Sequence, residues 1–467
     1  MQSAFLVLPL RRAFGKLPVA LSAFSFTRVS AIFLLVILGA LPASTGAAAG
    51  NDGNRKPDNS GLSGQRLKLD LRGEIPTRDG RRIRMVLDLG NIVVHTQNSG
   101  KIDYTVHLEA DASQKDAKEL LKSFSIVAHE TPEGVYLRGE TARQSSGRLW
   151  VTVTVNVPKS YSLELSTGGG NIDSDDINGP EAVLTAGGNI MAGNIDGAAR
   201  LVTGGGHITV KNVAGRLFAN TGGGHITTGA VSGGASLHTS GGHIRMASVE
   251  GVARLSTGGG NVTVEHSGSE LNADTTGGQI EVGETTGLVR AKTGGGGIRV
   301  VRVSGPTDLE TVGGSIYLTQ VDSPVKASTG AGVITAWFVA PVKSPSQCQL
   351  QSNDGDIVVY IPRQMPVTID AQVQLGDEHR VIVDPAFQLK MSYDAASNGG
   401  HLARAEGPLN GGGEILHLRT VAGNIRLVAS DATKQMQLYK QQMAQLEEKV
   451  RVQLQLLEQS QSHENAP

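Results

Sequence analysis

TGGGHITV occupies residues 203–210, TGGGHITT residues 221–228 and TSGGHIRM residues 239–246. Glycines followed by a histidine and a β-branched residue fit a phosphate loop, a row of metal ligands or a structural corner. The spacing separates these readings. The aliphatic residue that closes the motif recurs at Ile172, Ile190, Ile208, Ile226, Ile244, Val262, Ile280, Ile298, Ile316 and Ile334, always 18 residues apart. With that residue as position 1, position 14 is threonine from Thr185 to Thr329 and position 17 is glycine from Gly188 to Gly332. Position 6 is mostly aliphatic, as in Val213, Val231 and Val249, and positions 10 and 12 are usually Leu, Val or Ala. So short and strict a period leaves no room for a helix and implies one coil of a β-solenoid per repeat.

Side-chain parity agrees. Positions 1 and 3 are apolar around a polar position 2, and positions 10, 12 and 14 share one parity, as in strands with one buried face. Each coil is expected to hold two short strands, a bend near the glycine at position 8 and a tight corner at the glycine pair. Glycine at that corner implies either positive φ or an approach of neighbouring coils that a Cβ would block. The threonines have inward parity and are expected to stack beside the corner. Ten coils at about 4.8 Å each make a rod of roughly 50 Å.

The competing chemical readings fail on residue type. A phosphate loop feeds a helix and ends in Lys-Ser/Thr, whereas a strand follows every glycine cluster here. A calcium-binding roll repeats G-G-x-G-x-D, but Val210, Val264 and Val300 stand where Asp belongs. A hexapeptide helix needs aliphatics six apart, yet positions 7 and 13 carry Glu250, Ser304, Asn220 and Glu310. His207, His225 and His243 share position 18 with Asn171, Asn189, Asn261, Gln279, Gly297 and Ser315. The column reads as a tolerant polar ladder, with a shared metal as the alternative; zinc wants ligands that converge tetrahedrally. No catalytic residue, cofactor or metal site is expected.

Glycine is 61 of 467 residues and the net charge is -1, which gives no sign of nucleic-acid binding. Residues 29–41 (VSAIFLLVILGAL) form an apolar run preceded by Arg11, Arg12, Lys16 and Arg28. Residues 1–49 therefore fit an export signal cleaved near Ala49, or an uncleaved membrane anchor, and RRAFGK resembles a twin-arginine core. Cys348 is the single cysteine, so no intrachain disulfide staples the rod. Residues 50–65 form a polar linker. Residues 66–165 read as a β-rich N-terminal cap containing one helix, QKDAKELLKSF, at 114–124. The solenoid spans 166–358, and closing strands fill 359–430, where VYIPRQMPVTI echoes VNVPKSYSLEL. The fold class is all-β: a single-stranded, parallel β-helix-like solenoid with a cap and a C-terminal α-helix.

The β-rich lead-in, the V-P-x-x-x-x-L-x-L start, the T-x-G-G-x-I coils and the LNGGG…TVAGNI closure resemble the bacterial putative-adhesin family of the DUF4097 type. These are exported β-strand-repeat proteins, and the resemblance covers residues 66–430. It implies an exported cell-envelope protein, periplasmic or at the cell surface, with a protein or polysaccharide ligand and no catalytic residues. The alternative is a carbohydrate-binding or carbohydrate-active β-helix protein. A hydrolase of that kind needs a cleft with paired carboxylates, and no interval between coils carries an inserted loop. Asp173, Asp175 and Asp176 cluster only in the first coil and read as a solvated end, while Trp150 and Trp337 are the only tryptophans.

Residues 431–467 change character. Thirty residues from Asp431 lack glycine and proline, and Asp431 suits a helix N-cap. Met436, Tyr439, Met443, Leu446, Val450, Gln453 and Leu457 alternate at heptad spacing. That stripe is expected to be buried along the flat side of the solenoid or by self-association of the helix over 431–460. The helix is expected to be separable from the rod.

Overall fold

The computed structural model describes residues 66–142, 148–339, 348–375, 378–395 and 400–464. In the last helix, side chains are described as far as Val452 (Ala432 excepted) and at Gln455. The apolar run at 29–41 and the linker at 50–65 lie outside the described residues, as do the side chains of Gln453 and Leu457.

Each repeat contributes one strand to each of two sheets. Strands starting at position 1, such as Ile208–Val210 and Ile226–Val231, pair in parallel with Ile208 opposite Ile226. Strands starting at position 10, such as Ala199–Thr203 and Leu217–Thr221, pair likewise with Thr203 opposite Thr221. The 18-residue period is therefore the register itself. Every column of the sequence becomes a line of stacked side chains, and the inward columns (Ile208, Val210, Leu217 and Ala219, for example) are fully buried. Burying one such aliphatic contributes about 1.5–3 kcal/mol. The column holds because a one-residue slip would turn every inward side chain to solvent.

Stacking continues past residues 166 and 358. Ile92 lies opposite Ile172, and Ile83 opposite Leu163, so residues 82–97 form a coil beneath the first 18-residue repeat, 80 residues earlier in the chain. At the other end Ile334 stacks on Ile357 and Ile357 on Ile425. DLGNI, DGDI and AGNI are corners of the same kind, displaced from the 18-residue phase by the segments between them. Antiparallel strands finish both ends: Arg66–Pro76, Lys101–Asp111 and Leu149–Pro158 at one, Val367–Val373, His401–Leu409 and Lys390–Ala395 at the other. They occupy backbone groups that an open parallel edge would expose.

Helix α1 spans Ala117–Lys122, shorter than the 114–124 expected. Phe124 instead opens a strand paired with residues 134–141, so tertiary pairing overrides local helical preference there.

Helix α2, Ala432–Glu464, lies against the first sheet. Met443, Leu446 and Val450 are buried, whereas Met436 is exposed. The Gln435 amide donates to the carbonyls of Thr319 (3.0 Å), Trp337 (3.3 Å) and Phe338 (3.4 Å). Lys449 pairs with Glu281 at 2.6 Å, and Tyr439 hydrogen-bonds Glu284. A Cβ on Gly283 would meet the Glu265 carbonyl oxygen of the preceding coil at 2.2 Å and Leu446 Cδ2 at 2.8 Å, so coil contact demands this glycine and the helix packs over it. The middle of the seam is thus buried along the rod, the first of the two burials expected from sequence. Heptad spacing specifies a stripe to bury, not the partner that buries it.

Candidate binding edge at the glycine corner

The corner is a repeating clasp. Each position-14 threonine hydroxyl donates to the position-17 carbonyl of the preceding coil, as Thr203 does to Gly188 and Thr221 to Gly206, both at 2.7 Å. The same oxygen accepts the position-17 N–H of its own coil, from Gly206 at 3.2 Å and Gly224 at 3.3 Å. Serine is the residue type that could replace it, and Ser352 donates to Gly332 at the C-terminal end.

The two glycines beside the clasp differ. A Cβ on Gly224 would meet the Gly206 carbonyl oxygen at 1.9 Å, and the same contact recurs along position 17. Close approach, not positive φ, therefore demands glycine through the middle of the rod. Positive φ enters only near the ends, at Gly90, Gly170, Gly355 and Gly423. At position 16 a Cβ on Gly169, Gly187, Gly205, Gly223, Gly259 or Gly277 would meet nothing within 4 Å. Packing does not require these glycines.

Position 18 forms a ladder that runs from Asn91 to Gln279. The backbone N–H of each member is accepted by the side chain one coil earlier: Asn171 by Asn91 Oδ1 (2.9 Å), Asn189 by Asn171 Oδ1 (2.9 Å), His207 by Asn189 Oδ1 (2.8 Å). It then runs from His225 to His207 Nδ1 (2.9 Å), His243 to His225 Nδ1 (2.9 Å), Asn261 to His243 Nδ1 (2.8 Å) and Gln279 to Asn261 Oδ1 (2.9 Å). Asn Oδ1 and His Nδ1 are the same number of bonds from Cα, which is why one column admits both. Because the backbone N–H can only donate, each Nδ1 must be the bare acceptor, and the proton sits on Nε2. The imidazoles stack with centroids 4.9 Å apart. Burial pushes the His225 and His243 pKa values down, helped at His225 by its two histidine neighbours and at both by Arg245.

Two consequences follow. A metal shared along the column would compete for Nδ1 atoms already engaged, and a straight row cannot converge tetrahedrally. The ladder also turns one acceptor of every member inward along the rod, so Asn Nδ2 and His Nε2–H are left for the outside. The edge is a line of N–H donors one coil apart beside bare glycine backbone. Sequence reading found the column but not this polarity, which arises only when successive coils are stacked. The acidic cluster lies at the surface, with Asp175 exposed, and two of its members also accept backbone N–H groups. Asp176 Oδ1 accepts the Asn194 N–H at 2.8 Å, and Asp175 accepts the Thr96 N–H at 3.3 Å, closing the first coil onto its neighbours.

Among solved structures, a putative cell adhesion protein from Clostridium sporogenes ATCC 15579 is 8% identical, covering 78% of this chain and 100% of that one, with a TM-score of 0.15. A putative adhesin from Bacteroides fragilis NCTC 9343 is 14% identical over 57% of this chain and 96% of that one, with a TM-score of 0.24. One from Parabacteroides distasonis ATCC 8503 is 12% identical, with the same coverage and TM-score. No curated protein matches the chain. The family profile described as Toastrack DUF4097 matches residues 83–371, from the first stacked coil to beyond the last regular repeat, and the chain belongs to that family.

Proposed function

We propose that the protein is a non-enzymatic, exported cell-envelope rod of the adhesin type, whose ladder edge docks an extended surface polysaccharide. The observation that carries this is the donor row spaced at 4.9 Å in its histidine section. An extended peptide offers carbonyls on one side only every second residue, about 6.7 Å apart, and falls out of step within a few coils. A chain of linked pyranose rings repeats close to the coil spacing and carries acceptor oxygens on every ring.

Along this edge His207, His225 and His243 keep Nδ1 in the ladder and present Nε2–H outward, so they serve there as donors. The carboxylates raised to about 7, Glu181 and Glu265, lie inside the rod and beside α2 rather than at the corner. Export rests on the N-terminal apolar run; among the described residues no helix is long and apolar enough to cross a membrane.

The test inverts the edge without removing the ladder. Asp356 already occupies the equivalent position, where it accepts the Asn424 N–H at 2.8 Å. Asn189→Asp with Asn261→Asp should therefore keep the melt while replacing donors by acceptors. Co-sedimentation of the full chain with isolated cell-wall sacculi should fall at least tenfold in the double variant. Equal sedimentation of the two proteins would remove the edge from the function.

A further inference from the structure

The ladder does not end at Asn171. It reaches Asn91, and strand pairing then sets Thr152 opposite Asn91 and His107 opposite Thr152 across the cap. There the cap strands overshoot the corner, because Leu149, Trp150 and Val151 extend beyond the residue paired with Asn91. The overhang and the corner enclose a cleft of about 460 Å³, lined by Trp150, Glu109, Arg66, His107, Gly90 and Gly169 among others. That volume lies within the range of small-ligand sites.

The lining is specific in character. Trp150 is 39% exposed, although an indole of this size normally contributes to a core. The Arg66 guanidinium lies 4.5 Å from its ring centroid. Glu109 pairs with Arg66 at 2.6 Å, with Lys68 at 3.1 Å and with His107 at 3.1 Å, and its other flank is the tryptophan row. Those partners, Arg66 first, hold the Glu109 carboxyl down to about 2. His107 also faces Asp70 at 2.6 Å. The cations of the cleft are thus matched to carboxylates. An anionic ligand would face Glu109, and a cationic one would face Arg66. Leu149, Leu89 and Val151 add apolar surface, and Gly169 leaves open space where any side chain would intrude.

We propose that this cleft is a binding subsite for one or two pyranose rings of a neutral saccharide, placed at the N-terminal head of the ladder edge. The exposed part of Trp150, whose ring carries the Arg66 guanidinium on one face, stands beside a hydrogen-bonding rim, a combination that fits a ring with apolar C–H faces and polar hydroxyl edges. The inference rests on the polysaccharide reading above and names the chemistry of the chain's terminal rings: uncharged, with equatorial hydroxyls able to reach Glu109 and the Arg66 fork.

Trp150 and Trp337 are the only tryptophans, and Trp337 stacks on Tyr360 at 3.7 Å, away from the cleft lining. In a Trp337→Phe background of the full chain, fluorescence therefore reports Trp150 alone. The probes are neutral cello-, chito- and malto-oligosaccharides, with an oligogalacturonate and a chitosan oligomer as charged controls. A saturable change with at least one neutral series, and at least tenfold weaker response to both charged controls, is expected. Gly169→Gln, whose Cβ meets no protein atom within 4 Å and whose position lines the cleft, should keep the melt and weaken binding at least tenfold; Trp150→Ala should do so by calorimetry. No response to any neutral series, tighter binding of a charged control, or full binding by Gly169→Gln overturns the proposal. If sacculus binding still depends on Asn189 and Asn261 in that case, the edge reading stands and only the subsite falls.

Discussion

At the scale of single residues, adjacent glycines of one motif carry opposite expectations. Gly224→Ala puts a Cβ against the Gly206 carbonyl and should cost about 2 kcal/mol or more in chemical denaturation. Gly223→Ala meets nothing and should stay within ~0.5 kcal/mol of the parent; equal losses would show that backbone conformation rather than coil contact sets both. His225 and His243 invite a pH test. Their folded pKa values lie below the ordinary value, so the neutral ladder contributes stability that is fully present above about pH 6.5 and is lost as pH falls through the lowered folded value. His225→Asn should match the parent at pH 8 and lose less stability between pH 6.5 and 5. Glu181 works in the reverse sense. It is buried, hydrogen-bonded to Ser174 at 2.7 Å through one oxygen, with the other oxygen unpartnered among the described residues, and burial lifts it from 4.5 to about 7. A raised pKa means stability that is complete below about 4.5 and lost as pH rises through about 7, on the order of 3 kcal/mol for such a shift. Glu181→Gln should remove that portion of the pH dependence, read as the difference between the two denaturation curves from pH 5 to 8.

At the scale of elements, the docked helix takes one of the two burials that its stripe allowed. Leu446→Asp places a charge at the buried contact above Gly283, and should release α2 to proteolysis while hydrogen exchange in the central coils stays slow. Protection of α2 in that variant would mean that Gln435 and the ion pairs hold it alone. Glu265, raised to about 7 by burial and then by Glu447, makes the same contact weaker as pH rises through that value, since docking favours its protonated form. Deleting residues 432–467 should expose the covered face, where Thr227, Thr263 and Thr319 are now buried, and lower the melting temperature. The apparent mass in light scattering should not fall, because Met443, Leu446 and Val450 already contact the rod rather than a second copy.

At the scale of the molecule, stability is distributed along a one-dimensional stack in which each coil contacts its neighbours. A donor row survives as a ligand-matching edge only while every coil keeps its register. Coils at the head and tail enter this stack without sharing the repeat's phase. The TVAGNI closure was readable from sequence, whereas DLGNI reads there as part of the cap, and assigning it to the stack required knowing that Ile92 lies beneath Ile172, 80 positions away in the chain.

The 18-residue period, the inward parity and the threonine and glycine columns were legible from the chain alone, because in a solenoid the repeat length is the hydrogen-bond register and local pattern translates directly into stacked columns. What buries α2, which of two causes demands glycine at position 17, and which way the Asn and His side chains turn were decided only in three dimensions. Each depends on where a second, sequence-distant backbone lies: the Gly206 carbonyl under Gly224, the bare Cα of Gly283 under Leu446, and the next coil's N–H that takes up every Oδ1 and Nδ1 and leaves the donors outside. The Trp150 cleft belongs to the same class. Its walls come from strands at residues 66, 109, 150 and 169 that no periodicity links, and their meeting follows from cap strands that overshoot the corner they cover.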